Sequence, residues 1–551
     1  MRPLLFALLA LVLIPGPFPP ALAAGDDGPA YGDAIIVGSI GDASTLIPAL
    51  SADTASSSIN GLVYNGLVKL DKNLRLVGDL AEGWDISEDG LTITFHLRQG
   101  VTWHDGQPLT ARDVMFTYRL MIDPATPTAY GEDFKQVKKA EVVDDHTFRV
   151  TYPRPFAPAL ISWGFPVMPA HLLEGKDITT SELARRPVGT GPYIFKEWQT
   201  GQQIVLESNP GYFEGRPYIT RHVTRVIPDM ATMFLELKSG GIDSMGLTPL
   251  QYLRQTDTPE FGKQFRKYKY LAFSYTYLGF NLMDPKFKDQ RVRQAMAYAI
   301  NKDEIIEGVL LGLGQPANGP FKPGHWAYNE KVTSHVFDPD RARKLLAEAG
   351  WKPRATEEEG CFFSACDRRK EDVTLYKEGQ PFEFTIITNQ GNKQREMCAL
   401  IIQQRLKDIG IRIKVQTIEW AAFLKEFIDK RNFEACILGW TIPLDPDLFD
   451  VWHSSKTRPG ELNFISYKNE EVDRLIDESR YTFDQAKRKA ALDRIQEIFK
   501  EDVPYVFLYV PDALPVVASR FKGIEPAPAG IDYNFIKWYA PESLQKYHLT
   551  P

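Results

Sequence analysis

FEFTIIT at residues 382–388 opens the most regular stretch of the chain. An amphipathic segment, QREMCALIIQQRLKDI, follows at 394–409, and the apolar residues of IRIKV at 411–415 alternate as in a second strand. A helical segment covers 420–430, and FEACILG at 433–439 is a third, nearly all-apolar strand. Strand, helix, strand, helix and strand with short links predict right-handed crossovers and a parallel, buried sheet in an α/β fold.

The end of the third strand is the first candidate for a ligand site. In open parallel sheets, ligands bind beyond the carboxyl ends of the strands. Trp440 follows the third strand directly, and the loop after it carries Asp445, Asp447 and Asp450. An aromatic ring beside carboxylates at this edge is typical of a binding site, although a tryptophan at the core edge beside solvated acids fits the same pattern.

The composition is that of a large, mildly acidic globular protein. Of the 551 residues, 44% are hydrophobic and 25% are charged, which excludes a disordered or low-complexity chain. The 64 Lys and Arg residues against 71 Asp and Glu give a formal net charge of −7, so the sequence predicts no nucleic-acid partner. The length predicts roughly three to four folding units.

The N-terminus has the pattern of a secretory signal peptide. Arg2 precedes an apolar run at 4–14, helix-breaking prolines follow, and the small-residue run ALAA at 21–24 resembles a cleavage site. We therefore expect residues 1–24 to be removed and the mature protein to be periplasmic. No cysteine lies near the cut, so a lipid anchor is not expected.

Two of the four cysteines lie close together in a polar insert. Cys361 and Cys366 flank four residues, and in an exported protein this spacing predicts a disulfide that closes a surface loop. A metal site is the lesser alternative, because no histidine lies close by in sequence. Cys398 and Cys436 lie in strongly apolar segments, which fits buried free thiols at least as well as a bond.

Catalytic motifs are mostly missing from the sequence. There is no H-E-x-x-H, no G-x-S-x-G and no Walker-type loop, and Gly189-Thr190-Gly191 lacks the third glycine of a dinucleotide fingerprint. The sequence therefore predicts neither an enzyme nor a bound cofactor or metal.

Several ordered motifs resemble the signature blocks of the family 5 extracellular solute-binding proteins. The likeness begins with DLAEGW at 79–84 and DGQPLTARDV at 105–114. It continues with VGTGPY at 188–193, RVRQA at 291–295 and the Gly439-Trp440 pair. These proteins are the dipeptide- and oligopeptide-binding components of ABC importers, and the resemblance covers nearly all of the mature chain.

The resemblance implies a two-lobed clamshell of the periplasmic binding protein type with discontinuous lobes. Lobe I is expected to comprise residues 25–64, 187–277 and 506–551, with a subdomain inserted at 65–186. Lobe II is expected to comprise 278–505. The chain then crosses between the lobes near Tyr277 and Tyr505, and such crossing segments are the natural hinge.

The resemblance also implies a function and a ligand site. The protein is expected to be a monomer that captures a peptide between its lobes and delivers it to ABC permease subunits. Trp440 is expected to form one wall, Tyr509 the opposite wall, and the main chain of Ala52, Asp53 and Thr54 a strand that pairs with the ligand.

The carboxylate that peptide binders use for the ligand's α-amino group is displaced in this chain. The family places an aspartate three residues after the glycine-tryptophan pair, and here that position is Pro443. Asp445 is then the first choice for this role and Asp447 the second. The departure leaves an oligosaccharide or another non-peptide solute as the alternative ligand, with a secreted hydrolase as a lesser alternative function.

Overall fold

The computed structural model describes residues 28–354 and 374–549. The predicted signal peptide and the predicted Cys361–Cys366 disulfide lie outside the described residues and stay predictions. Within the described ranges, no helix combines the length and the apolar character that crossing a membrane requires.

Two seven-stranded sheets form the framework of the protein, and we call the units built around them lobe I and lobe II. The sheet of lobe I has the strand order Phe265–Lys267, Pro515–Ala518, Ser244–Gly246, Gly32–Ser39, Ile219–Val226, Gln203–Ser208 and Tyr193–Gln199. The sheet of lobe II has the order Tyr270–Leu271, Tyr505–Ala513, Ser274–Phe280, Ala435–Thr441, Glu383–Asn389 and Arg412–Ile418, and Gly314–Pro316 pairs with Tyr505–Ala513.

Smaller sheets and the helices complete the fold. The inserted segment at 65–186 holds the hairpin Val68–Leu70 with Leu76–Gly78, and a four-stranded sheet of Ala81–Ile86, Thr92–Leu97, Thr147–Thr151 and Lys139–Asp144. A three-stranded sheet joins Lys352–Pro353, Leu375–Lys377 and Gln380–Pro381. The α-helices are Thr54–Val63, Ala111–Ile122, Glu132–Lys135, Ala170–Leu173, Met230–Ser239, Pro259–Gln264, Pro285–Lys288, Gln290–Ala299, Lys302–Gly308, Pro339–Glu348, Lys393–Lys407, Trp420–Ala422, Phe449–Trp452, Glu470–Arg480 and Gln485–Asp502.

The parallel core predicted for lobe II is present. Glu383–Asn389 pairs in parallel with Arg412–Ile418 and with Ala435–Thr441, which confirms the prediction. Ser274–Phe280 and Tyr505–Ala513 extend this core in antiparallel fashion, so the whole sheet is mixed.

Both faces of this sheet are covered, which explains why its strands are apolar almost throughout. The helix Lys393–Lys407 packs on one face, where Ile402 joins a core with Ile437. The helix Gln485–Asp502 packs on the other face, where Ile495 joins a second core. Because both faces are covered, a ligand can reach this sheet only at its edges, and the candidate site lies at the edge formed by the carboxyl ends of the strands.

The chain passes between the two sheets at two places that lie side by side. Residues 268–269 lead from the sheet of lobe I to the sheet of lobe II, and Leu514 makes the return connection. The Tyr268 N–H donates to the Pro515 carbonyl at 2.9 Å. The strands that flank both passages pair in antiparallel fashion, so a continuous two-stranded ribbon joins the lobes.

This topology differs from the expected crossings near Tyr277 and Tyr505. Both residues lie inside strands of the lobe II sheet, are buried, and stack with ring centroids 3.8 Å apart. A residue clamped in this way cannot absorb a hinge rotation. The structure places the crossings instead at residues 268–269 and at Leu514.

The two lobes contact each other closely at Gly391, just after the strand Glu383–Asn389. Gly391 has a φ of +87°, and a Cβ added there would lie 2.1 Å from the Pro228 carbonyl oxygen of lobe I. Gly379, also in lobe II, has a φ of +79° but no atom within 4 Å of an added Cβ. The two glycines therefore separate backbone strain from a clash between the lobes.

We predict that Gly391→Ala holds the lobes apart, whereas Gly379→Ala does not. Both changes introduce a side chain at positive φ, which costs about 1–2 kcal/mol, but only the first places a methyl group against the other lobe. X-ray scattering should give a larger radius of gyration for Gly391→Ala than for the wild type and Gly379→Ala. Equal radii for all three proteins contradict the contact between the lobes.

Candidate functional site

Trp440 lies at the edge of the lobe II sheet where the carboxyl ends of the parallel strands meet. The residue is partly exposed, and its indole N–H donates to the Tyr505 hydroxyl at 3.2 Å. Its ring also packs against Phe464 with centroids 5.8 Å apart. These contacts fix the orientation of the indole while part of its surface stays open.

A second tryptophan marks where this edge meets lobe I. Trp420 begins the helix after the strand Arg412–Ile418, and a Cβ added to Gly41 of lobe I would lie 3.1 Å from its ring. The carboxyl edge of the lobe II sheet therefore faces the lobe I segment that follows Gly32–Ser39.

The predicted ligand-pairing segment of lobe I has an open main chain. Ala52 is exposed, and Asp53 is extended with φ −118° and ψ 154°. Within the described part of the chain, the N–H groups of Ala52 and Asp53 have no hydrogen-bond acceptor. The Asp53 carboxylate, in contrast, is occupied, because it caps the helix Thr54–Val63 and accepts from the Ser56 N–H at 2.9 Å.

Tyr130 of the inserted segment lies between the two lobes. Burial raises the pKa of its phenol, and the negative charges of Asp450 in lobe II and Asp53 in lobe I raise it further. The Tyr130 phenol therefore lies close enough to one carboxylate of each lobe for both charges to affect its pKa. Tyr130 could not be predicted as a site residue from the sequence, because it belongs to no motif.

Two of the three aspartates in the loop after Trp440 already have cationic partners. Asp445 pairs with Arg488 at 2.6 Å, and burial raises the pKa of its carboxyl although Arg488 opposes the shift. Asp447 pairs with Arg480 at 3.0 Å. A ligand ammonium group at either carboxylate would have to displace an arginine.

Asp450 is less well compensated than its two neighbours. Its buried Oδ1 atom accepts no hydrogen bond and has only an ion pair with Lys456, whose Nζ atom lies 3.4 Å away. Burial raises the pKa of Asp450 to about 6, with Lys456 opposing the shift and the charge of Asp447 adding to it. Of the three aspartates, Asp450 has the most capacity left for another cation.

Charged contacts between the inserted segment and lobe II surround these aspartates. Arg480, only 1% exposed, contacts Asp133, whose pKa is raised well above its usual value first by burial and then by the charge of Asp447. Lys456 lies 3.3 Å from Glu132. Closing the lobes therefore removes several charges of both signs from water.

Tyr509 does not lie where it was expected. Its side chain is 2% exposed and packs within the core beneath the helix Lys393–Lys407. Burial raises the pKa of its phenol. The structure places Tyr509 inside lobe II rather than on a wall of the cleft, so it offers no surface to a ligand in this arrangement.

The described residues contain no group of three or more His, Cys, Asp or Glu side chains placed to hold a metal ion. Cys398 and Cys436, the two cysteines of the described part, are buried free thiols. Of the two alternatives considered from the sequence, a free-thiol pair and a disulfide, the structure shows the free thiols.

Comparisons with known proteins agree with the likeness read from the sequence motifs. The family model for bacterial extracellular solute-binding proteins, family 5 (middle part), matches residues 75–460. The oligopeptide-binding protein AppA of Bacillus subtilis is 34% identical over 522 residues, which cover 93% of this chain and 92% of AppA.

Solved structures agree with the fold. AppA from Bacillus subtilis in complex with a nonapeptide matches with a TM-score of 0.86 at 33% identity, over 93% of this chain and 100% of that one. DppA from Helicobacter pylori with the peptide STSA and NikZ from Campylobacter jejuni with Ni(L-His) each match with a TM-score of 0.81 at 28% identity, over 93% and 92% of this chain and 99% of theirs. The fold is the two-lobed periplasmic binding protein fold, and the chain belongs to the family 5 bacterial extracellular solute-binding proteins.

Proposed function

We propose that this protein captures a peptide between its two lobes and delivers it, chemically unchanged, to the membrane subunits of an ABC importer. This proposal rests on the likeness to the oligopeptide-binding AppA, which covers 93% of the chain. The solved structure that matches is that of AppA with a bound nonapeptide. DppA, with a bound peptide in its solved structure, adds support from a second relative.

The proposed ligand lies across the carboxyl edge of the lobe II sheet. The open, extended main chain at Ala52 and Asp53 suits an added strand, since its N–H groups are ready to receive carbonyl oxygens. Trp440 supplies an apolar surface opposite this segment. Main-chain pairing binds peptides regardless of side chain, which suits a carrier of varied peptides.

We assign the peptide's ammonium group, where it is free, to Asp450 rather than to Asp445 or Asp447. A buried ammonium ion needs a carboxylate partner, and the latter two aspartates are paired with Arg488 and Arg480. Asp450 has only the longer ion pair of its Oδ1 atom with Lys456 at 3.4 Å, and it lies near Tyr130 and the opposite lobe. Asp445 and Asp447 then contribute negative potential around the site.

The proposal includes location, oligomeric state and lobe boundaries. A cleaved signal peptide would place the mature protein in the periplasm as a monomer that docks only transiently on its permease. The sheet topology suggests revised limits: 25–64, 187–267 and 515–551 for lobe I, 65–186 for the inserted subdomain, and 270–513 for lobe II.

A non-peptide solute is the alternative ligand. NikZ, 28% identical, holds a nickel–histidine complex on the same fold, and Pro443 stands where peptide binders carry their aspartate. An oligosaccharide fits the same reasoning, because a half-open tryptophan is a good surface for a sugar ring.

The ligand class can be read directly from protein purified after export. Mass spectrometry of the small molecules released on denaturation is expected to find peptides, and an intact mass lacking residues 1–24 is expected for the protein.

Adding back a peptide so found should lower the radius of gyration in X-ray scattering, because a ligand that touches both lobes favours the closed state. Sugars or metal chelates alone would contradict the peptide assignment, and an unchanged scattering curve at saturation would contradict closure.

Trp440→Ala is expected to weaken binding of that peptide by tenfold or more, since burying a large aromatic surface contributes about 1.5–3 kcal/mol. Trp440→Phe keeps a ring but loses the hydrogen bond to Tyr505, and we expect it to bind within a few-fold of wild type. Calorimetry on both variants separates the apolar wall from the hydrogen bond. Wild-type affinity in Trp440→Ala would remove the residue from the site.

Asp450→Asn is expected to weaken a free-amine peptide about thirtyfold or more, while raising the stability of the unliganded protein at pH 7. Because the folded pKa is raised to about 6, its stabilising protonation is complete below the unfolded value near 3.8 and is lost as the pH rises through 6. Thermal unfolding at pH 5 and pH 7 should therefore show a smaller loss for Asp450→Asn than for wild type.

Two controls sharpen the Asp450 experiment. Asp145, 64% exposed in the inserted segment, serves as the matched aspartate, and Asp145→Asn should change neither property. N-acetylating the peptide should weaken wild-type binding as much as the mutation does, and should cost nothing further in Asp450→Asn. Additive losses would show that the amine and Asp450 do not meet.

A further inference from the structure

The inserted segment and lobe II meet in an interface of their own. Arg480 of lobe II, only 1% exposed, takes part in it. Its guanidinium group lies 4.3 Å from the ring centre of Phe449 in lobe II and 5.1 Å from that of Phe156 in the inserted segment. The Tyr481 hydroxyl donates to the side-chain oxygen of Gln136 in the inserted segment at 2.9 Å. Separating the inserted segment from lobe II breaks these contacts.

Arg480 is shared by one carboxylate from each side of this interface. It contacts Asp133 of the inserted segment, and its Nε atom lies 3.0 Å from Oδ2 of Asp447 in lobe II. Because Arg480 and Asp447 both belong to lobe II, they stay paired when the two sides part. Asp133 therefore arrives on closing as a second carboxylate for a cation that already has one.

Lys456 repeats this arrangement next to Arg480. The Lys456 ammonium group, whose side chain is 7% exposed, lies 3.3 Å from Glu132 of the inserted segment and 3.4 Å from Asp450 of lobe II. Lys135, which is 52% exposed, also pairs with Glu132. Closing again adds a carboxylate to a pair that lobe II already contains.

The closed interface thus holds four carboxylates around two interior cations. Among residues 28–354 and 374–549, Asp133 has no ion-pair partner other than Arg480. Carboxylates that share one site cannot all ionise freely, so the pKa of at least one rises. Burial raises the pKa of Asp133 well above its usual value and the charge of Asp447 raises it further, while Arg480 opposes the shift. Asp450 and Asp445 add to the increase.

The other titratable groups around Asp133 do not remove this excess of negative charge. Tyr152 of the inserted segment is neutral at pH 7, because burial raises the pKa of its phenol. The remaining charged groups are already paired among themselves, namely Glu132 with Lys135 and Lys456, and Asp445 with Arg488.

We propose that closing the inserted segment onto lobe II binds one proton at Asp133, so that acidification favours the closed protein even without a ligand. In the open form, Asp133 lies in water as a carboxylate and Arg480 keeps Asp447 alone. On closing, a proton taken from water neutralises Asp133 and removes its repulsion with Asp447, and opening returns that proton to water. This device goes beyond the proposed function, because it does not depend on which ligand the cleft takes.

The direction of the pH effect follows from the raised pKa of Asp133 in the closed form. The contribution of the proton to closing is complete below the ordinary value of an exposed aspartate, near 3.8, and is lost as the pH rises through the higher closed-state pKa. Between these two values, one proton changes the equilibrium constant for closing by up to about tenfold per pH unit.

X-ray scattering of the mature, ligand-free protein tests the proposal. Bound ligand is removed by unfolding in guanidinium chloride, dialysis and refolding, and circular dichroism checks the fold. The wild type is expected to have a smaller radius of gyration at pH 5 than at pH 8. Asp133→Asn is neutral at every pH and should have the smaller radius already at pH 8, with little further change at pH 5. Asp145→Asn, an exposed aspartate of the same inserted segment, should respond to pH as the wild type does.

The outcomes separate this inference from the proposed function. Equal radii of the wild type at pH 5 and pH 8 overturn the proton-linked closing and need no variant. A folded Asp133→Asn that keeps the full wild-type response, or that stays expanded at both pH values, overturns the role of Asp133. Loss of the response in Asp145→Asn would show a general charge effect and overturn it as well. Since no ligand is present, a failure of peptides to bind contradicts only the proposed function.

Discussion

Two neighbouring passages of the chain, residues 268–269 and Leu514, connect the two lobes and determine how one lobe moves relative to the other. Because they run antiparallel and are hydrogen-bonded at Tyr268 and Pro515, they behave as one ribbon that bends or twists more easily than it stretches or shears. Relative motion of the lobes is thereby confined to rotation. The residues that meet across the cleft, such as Gly391 and Pro228 or Trp420 and Gly41, consequently meet in the same register each time.

The cleft that this motion closes has an uneven charge distribution. One side carries the aspartates after Trp440 and their arginine and lysine partners, with Asp450 only weakly compensated. The other side of the same strand end carries Arg395, whose guanidinium group donates to the Asn389 side chain at 2.8 Å. In the proposed arrangement, an extended peptide places its ammonium group at Asp450, so its direction in the cleft is specified without reference to its side chains.

Local pattern was enough to predict the parallel core of lobe II and the position of Trp440, because strand and helix periodicities there are strong and the links are short. It failed for Tyr509, because a strand buried on both faces has no alternation to tell which side a residue takes. It placed the first crossing too late and the second too early. The second error arose because the apolar strand Tyr505–Ala513 continues into the next strand after a single residue. The arginines that pair with Asp445 and Asp447 lie more than thirty residues further along the chain, on the helices Glu470–Arg480 and Gln485–Asp502. Their pairing could therefore not be predicted from local sequence.

The strand Pro515–Ala518 lies inside the lobe I sheet, between Ser244–Gly246 and Phe265–Lys267, although the whole of lobe II separates it from Phe265–Lys267 along the chain. The sheet cannot be completed until lobe II and the strand Pro515–Ala518 have been synthesised, and its contacts span large sequence separations. Such topologies fold slowly, because loop-closure entropy must be overcome before the distant contacts form. A chain that delays its own folding in this way remains unfolded for longer after synthesis, which is the state that export across a membrane through a narrow channel requires.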